Sequence, residues 1–302
     1  MSNPRVDDHV FNRLRNALIL HACGDAYGAQ FEFQDHSTAG RNVGVGERRM
    51  LPSPVWETAA GQVTDDHEMT AALAACIADN GGCYHQNQAR RAYEHWLESD
   101  PFDAGNTVAS GLLGDPIRDS IGNGALMRCI PVVAAARGNP ARSRLLAQRD
   151  CRLTHPSPDA VVASTVYAEM LCEVIARNRL AADIAERRHL IEGPEAYPPG
   201  TCKRSLLAAV DALARWQGSS ASEDPETVRY VLSEVAARGG DTDTDCAVAG
   251  GLLGAAGAPV PEDWKRVVFD LDTSAGSRPR PAEYHPAATL AALDRIEEWR
   301  TP

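Results

Sequence analysis

Apolar residues recur at helical spacing along almost the whole chain. Val10, Leu14, Ala17 and Leu18 form one stripe, Ala163, Tyr167, Met170 and Val174 another, and Leu206, Val210 and Leu213 a third. Positions three, four and seven apart share one face of a helix, so each stripe predicts an amphipathic helix. Alternating β-branched runs of strand length are lacking, which disfavours a parallel sheet. The pattern predicts an all-α protein. Stretches rich in Gly, Pro and Ser near residues 36–58, 191–202, 217–226 and 272–286 read as surface loops, and Ala287 to Trp299 reads as a closing helix. No break separates two independently patterned halves and no internal repeat is visible, so residues 1–302 are expected to form a single domain.

Two acidic clusters sit at the starts of such stripes. Thr64-Asp65-Asp66 precedes Met69, Leu73, Cys76 and Ile77, and Gly239-Gly240-Asp241-Thr242-Asp243-Thr244 follows the stripe Val228, Val231, Leu232, Val235 and Ala236. The two glycines are placed to stop the preceding helix. The chain then restarts through Cys246, Gly250 and Gly254, small residues at four-residue spacing that let a neighbouring helix approach closely. Acids on a first turn are favoured by the helix dipole, so the first cluster alone also reads as an N-cap with favourable charges. Together, the clusters offer four carboxylates and threonine hydroxyls, an all-oxygen set that suits magnesium or manganese. Paired ions of this kind, about 3.5–4 Å apart, are a recurrent hydrolytic device. A calcium loop starting at Asp241 is disfavoured, because its sixth position is Cys246 and its twelfth is Leu252. An aspartate nucleophile of the phosphatase type would need a strand in front of the acids, where the stripe predicts a helix.

Composition narrows the class. A 302-residue chain that is 44% hydrophobic has enough apolar surface for a sizeable core. No apolar run is long enough to span a bilayer, and the start of the chain lacks a secretory layout, so a cytoplasmic protein is expected, without membrane contact. The formal net charge of −11 argues against nucleic acid as a partner. The eight cysteines are scattered without a C-x-x-C pair and read as reduced core thiols. None of the nine histidines forms the spacing of a zinc helix.

With both clusters placed, the sequence resembles the ADP-ribosylglycohydrolase family. Gly24-Asp25-Ala26-Tyr27-Gly28 with Glu32 is similar to the family's opening motif, and Thr64-Asp65-Asp66 with Glu68-Met69 to its first metal motif. Asp103-Ala104-Gly105-Asn106-Thr107, Gly122-Asn123-Gly124-Ala125-Leu126-Met127-Arg128, Thr154-His155, Gly239 to Thr244 and Val260-Pro261-Glu262-Asp263-Trp264 follow in the family's order. The resemblance implies an orthogonal helical bundle around a dinuclear cleft with two magnesium (or manganese) ions. It further implies hydrolysis of the bond between ADP-ribose and a modified group on a protein substrate, with arginine the favoured linkage. Serine-linked or small-molecule ADP-ribose and a non-catalytic ADP-ribose binder are the alternatives, and a monomer is expected.

By the matching positions, Thr64, Asp65, Asp66, Asp241, Asp243 and Thr244 are the implied metal ligands, and Glu32 is an implied mobile carboxylate beside them. Asp66 or Asp103 is the implied proton acceptor. Asp103 and Asn106 would line the cleft beside the terminal ribose, His155 would contact that ribose, and Ser120 with the amides of Ile121, Gly122, Asn123 and Gly124 would approach the pyrophosphate. Read from the residues alone, Asn123 between two glycines is a turn candidate with left-handed φ, Arg128 an ion-pair partner and His155 a loop residue. The sequence departs from the family at His67, where Thr or Ser is common, at His21, where Gly is usual, and at Asp245, where Asn is common. An aromatic residue often found near Ala256-Gly257 is missing.

Overall fold

The computed structural model describes residues 4–177 and 197–299. Its helices are α1 (Pro4–Gly28), α2 (His36–Val45), α3 (Asp65–Asp79), α4 (Gln86–Glu98), α5 (Asn106–Leu112), α6 (Ile130–Ala135), α7 (Pro140–Cys151), α8 (Pro158–Arg177), α9 (Cys202–Gly218), α10 (Pro225–Ala236), α11 (Thr242–Ala256), α12 (Glu262–Phe269) and α13 (Pro286–Glu298). Among the described residues there is no strand, only two isolated bridges, Ser53 with Thr58 and Gly122 with Thr201. The all-α expectation holds, and the expected closing helix is α13. No described helix is long and apolar enough to cross a membrane.

The axis of the fold is the pair α1 and α11, and glycines set their separation. A Cβ on Gly24 would lie 2.2 Å from the Cys246 carbonyl oxygen, and one on Gly28 the same distance from that of Thr242. From the other side, a Cβ on Gly250 would lie 2.2 Å from the Leu20 oxygen and one on Gly254 2.4 Å from that of Asn16. The backbones therefore touch, and helical periodicity repeats the contact every four residues on both helices. Asn16 Nδ2 donates to the Gly254 and Ala258 carbonyls at 3.1 and 2.8 Å, and Thr242 Oγ1 donates to the Gly28 oxygen at 2.8 Å, fastening both ends. α11 is buried along its whole length.

Around this pair, α3, α6, α8, α9, α10 and α13 contribute apolar faces to one core. Seven cysteines are buried and Cys83 is exposed, and all eight are free thiols. One expectation changes, and part of another lies outside the described residues. The segment read as loop at 36–58 begins with α2, which Asp35 starts by accepting from the Thr38 backbone N–H at 3.0 Å. Its two glycines weaken the sequence signal, whereas buried Ala39 and Val43 hold the helix against its neighbours. Of the loop read at 191–202, residues 191–196 lie outside the described part.

Candidate metal centre

The N-terminus of α3 is capped from another helix. Thr64 precedes the helix without a side-chain cap. Instead both carboxylate oxygens of buried Asp25, on α1, accept the Thr64 backbone N–H at 3.0 and 3.1 Å, and Asp25 also accepts the His67 N–H at 3.0 Å. Two of the N–H groups left over at a helix start are thus satisfied across the fold. The Thr64 hydroxyl stays among the acids, 3.0 Å from Asp25 Oδ1, 3.2 Å from Asp66 Oδ2 and 3.3 Å from Asp243 Oδ2.

The second cluster arrives from α11. Gly239 and Gly240 have φ of 68° and 84°, the left-handed turn that brings Asp241 to the front of the helix. Gly240 N–H donates to the Gln34 oxygen at 2.8 Å and Phe33 N–H to the Gly240 oxygen at 2.7 Å, so this turn is stitched to the segment after α1. Glu32, Asp241 and Asp243 each bring an oxygen within 4.8 Å of the others, and Asp65, Asp103 and Asp243 do the same. The two triads share Asp243. Asp66 lies beneath, with Oδ2 3.3 Å from Thr244 Oγ1 and Oδ1 buried without any partner.

Six carboxylates this close oppose one another's ionisation. Burial, followed by the neighbouring acids, pushes Asp65 up to about 7 and Asp103 up to about 10. Burial is likewise the main cause that lifts Glu32 to about 8, against the hydrogen bond from Trp56 Nε1. Asp66 and Asp243 are raised in the same way. An orphaned buried oxygen, two oxygen triads and negative charge held out of water fit hard cations, because a cation supplies the missing partner for all three.

The acids open into a cleft of about 350 Å³ whose wall includes Glu32, Asp65, Asp103, Asn106, Gly122, Asn123, Gly124, His155, Asp241, Asp243 and Thr244. Thr64, Asp66, Ser120 and Ile121 are not among its lining residues. Ser120 stands behind the loop, accepting the Gly122 N–H at 3.2 Å, and Ile121 uses its carbonyl to receive the Cys202 N–H at 2.8 Å. Asn123 is not left-handed, and its Nδ2 donates to Asp241 Oδ2 at 2.5 Å and Ser205 Oγ at 3.0 Å. The flanking glycines make room for His155: a Cβ on Gly122 would sit 3.2 Å from its Nε2, and one on Gly124 3.2 Å from its Cε1.

His155 has one consistent protonation. Arg128 donates to Thr154 Oγ1 at 2.9 Å, and that hydroxyl lies 2.7 Å from His155 Nδ1, to which it donates. Burial, with Arg128 nearby, lowers His155 to about 3, so the ring is neutral and carries its proton on Nε2. Arg128 is also the ion-pair partner of Asp150, at 2.9 Å. Sequence reasoning gave no role to Asp25, Trp56, Arg204 or Ser205. Arg204 pairs with Asp245 at 3.2 Å and donates to the Gly239 oxygen at 2.6 Å, so the charge at the Asp245 departure is matched and tied to the glycine turn.

With this geometry in view, comparison with known proteins is decisive. The profile of the ADP-ribosylglycohydrolase family matches residues 7–278. The chain belongs to the ADP-ribosylglycohydrolase family. Accordingly, it is a glycohydrolase. It is 29% identical over 268 residues to the ADP-ribosyl-[dinitrogen reductase] glycohydrolase of Rhodospirillum rubrum, covering 84% of this chain and 87% of the relative. A protein of Acanthamoeba polyphaga mimivirus is 26% identical over 293 residues, covering 80% of this chain and 86% of its own. A solved structure described as an ADP-ribosylglycohydrolase-related protein complex superposes with a TM-score of 0.69 at 27% identity, over 96% of this chain and 99% of that one.

Proposed function

We propose that this glycohydrolase removes ADP-ribose from a modified protein side chain, with ADP-ribosylarginine as its substrate, and that two magnesium or manganese ions complete the site. The observation that carries the reading is the pair of carboxylate triads sharing Asp243 above the partnerless Asp66 Oδ1. Thr64, Asp65, Asp66, Asp241, Asp243 and Thr244 would hold the ions. Bound there, they would supply Lewis acidity toward the ribose hydroxyls and toward water.

The chain's own residues supply the rest. Asp103 lines the cleft and, once bound cations restore the carboxylate form that burial and its acidic neighbours oppose, would take the proton from the attacking water, a role its position favours over the deeper Asp66. Water's oxygen forms the new bond to the anomeric carbon as the bond to the side-chain nitrogen breaks, and the proton lost by water balances the one the leaving nitrogen gains. Glu32, a member of the other triad with Asp241 and Asp243, is held by Trp56 Nε1. His155 offers Nε2–H to a ribose hydroxyl, and the amides of Asn123 and Gly124 face the pyrophosphate, whereas that of Gly122 is taken by Ser120 Oγ.

The test is to incubate the protein with ADP-ribosylarginine, with magnesium, with manganese or with chelator, and to follow free ADP-ribose by chromatography. Cation-dependent release is the expected result. Release that persists in chelator overturns the cation role, and no release from arginine-, serine- or small-molecule-linked ADP-ribose overturns the hydrolase reading.

A further inference from the structure

A line of three aromatic side chains starts at the cleft wall with Phe33 and runs outward through Trp56 and Phe102, which do not themselves line the cleft. Trp56 meets Phe33 edge-on with centroids 5.9 Å apart, and Phe102 follows at 5.8 Å from Trp56. Phe33 remains 66% exposed, although an aromatic ring of that size is normally buried. Each ring is next in the chain to a carboxylate: Glu32 before Phe33, Glu57 after Trp56 and Asp103 after Phe102. Arg278 balances Glu57, at 4.0 Å, whereas Glu32 and Asp103 belong to the carboxylate triads.

The backbone of the three segments is strained. Phe33 has φ of 61°, Glu57 58° and Asp100 55°, left-handed values that are unfavourable for residues with a side chain. Such conformations persist only where the surroundings over-determine them, and they gather at functional sites. At Phe33 the holding contacts are visible: its N–H is bound to the Gly240 oxygen, and Gly240 N–H is bound to the next residue, Gln34. The ring is thereby fixed one residue away from both Glu32 and the turn that presents Asp241.

An exposed aromatic face beside excess negative charge is the environment that attracts a cation, above all a planar guanidinium that stacks as well as attracts. We propose that Phe33, Trp56 and Phe102 form a shelf that receives the guanidinium of the modified arginine on the leaving-group side of the scissile bond. Resting on the proposed hydrolase reading, this assigns its linkage preference to named residues. A neutral leaving group such as the serine hydroxyl gains nothing from the shelf.

The experiment compares kcat/KM for ADP-ribosylarginine and ADP-ribosylserine peptides in the wild type, Phe33→Ala, Phe33→Gly, Phe33→Tyr and Phe102→Ala, with affinity for free ADP-ribose measured alongside. Phe33→Gly removes the ring while easing the left-handed backbone, which separates recognition from folding. Loss of one cation–π face corresponds to about a 10-fold fall on the arginine substrate. The serine substrate falls less, so the arginine-to-serine ratio of kcat/KM drops while ADP-ribose affinity does not fall in parallel, and Phe33→Tyr retains the ratio. Equal losses on both linkages, or a parallel loss of ADP-ribose affinity, overturn the shelf. So does a wild type that cleaves the serine linkage only, which leaves the hydrolase reading standing.

Discussion

His21 Nδ1 lies 3.0 Å from His67 Nδ1, inside a hydrogen-bond chain that runs in one direction. His21 Nε2 is 2.9 Å from the Met127 carbonyl, which only accepts, so the proton of neutral His21 is on Nε2. Its Nδ1 is then bare, His67 must donate from Nδ1, and Thr289 Oγ1, 3.1 Å away, donates to His67 Nε2. The two histidines, both read from the sequence as departures from the resembled family's pattern, are each other's partners.

Replacing one of them should therefore strand the other. His67→Thr leaves His21 Nδ1 without a donor, and His21→Ala leaves His67 Nδ1–H without an acceptor, each costing about 1–3 kcal/mol. The double variant removes both needs at once. Urea unfolding of the four proteins should give a coupling of about 1 kcal/mol or more, with the double variant milder than the sum.

Burial lowers His21 to about 4, against the raising effect of its bond to Met127, and burial lowers His67 as well. The unfolded histidine, near pH 6.5, binds a proton that the folded one refuses, so stability is complete above pH 6.5 and is lost as pH falls toward 4. Each histidine contributes a slope of up to about 1.4 kcal/mol per pH unit within that window. Thermal melts at pH 7.5 and 5.0 should show a steeper loss for the wild type than for the His21→Ala, His67→Thr protein.

Glycines on different helices should respond in opposite ways. Alanine at Gly24, Gly28 or Gly250 drives a methyl to within 2.2 Å of a carbonyl oxygen, and α1 and α11 must part. A loss of about 3 kcal/mol or more is expected in chemical unfolding. Gly40 on α2 has nothing within 4 Å of its added methyl, so Gly40→Ala should stabilise by about 0.5–1 kcal/mol.

Asp243 belongs to both triads, so Asp243→Asn should separate stability from binding. Without divalent cation, relief of repulsion should raise stability by about 1 kcal/mol. Addition of magnesium or manganese, which should raise the melting temperature of the wild type, should leave the variant unmoved. Differential scanning fluorimetry with and without chelator reads both effects.

Arg280 grips buried Glu68 with two bonds of 2.8 Å and reaches the Ser99 carbonyl at 2.8 Å, while Trp96 Nε1 donates to the same carboxylate at 2.8 Å. Arg280→Ala leaves a buried charge without its partner and should cost about 3–5 kcal/mol. Arg280→Lys should rescue little, because a single ammonium cannot reproduce the fork. Calorimetric melting of both variants tests this.

The helices around the core were legible because each displays an apolar stripe, and the two acidic clusters were legible because both lie at helix starts. α2 was hidden by Gly40 and Gly44, and its formation depends on contacts that local sequence does not carry. Asp25 was visible only as part of the opening motif, and its role was hidden for a related reason: within α1 it is one polar residue among apolar ones, and its partners are the N–H groups of a helix that begins forty residues later. Trp56 lay in a segment read as loop, while Arg204 and Ser205 sit on a helix whose pattern showed only its apolar face. The role of Gly122 and Gly124 was read as a set of amides, whereas the ring they admit, His155, arrives from a separate loop.

The backbone contact between α1 and α11 also fixes what can move. Sliding either helix by one residue would bring a side chain into a position only glycine can occupy, so the pair has a single register and the floor of the cleft is a rigid frame of reference. Room for the proposed protein substrate to insert its modified residue must then come from the other wall, residues 33–57 and 100–107. Selection for new targets can reshape the parts of that wall other than Asp103 without disturbing the carboxylates below.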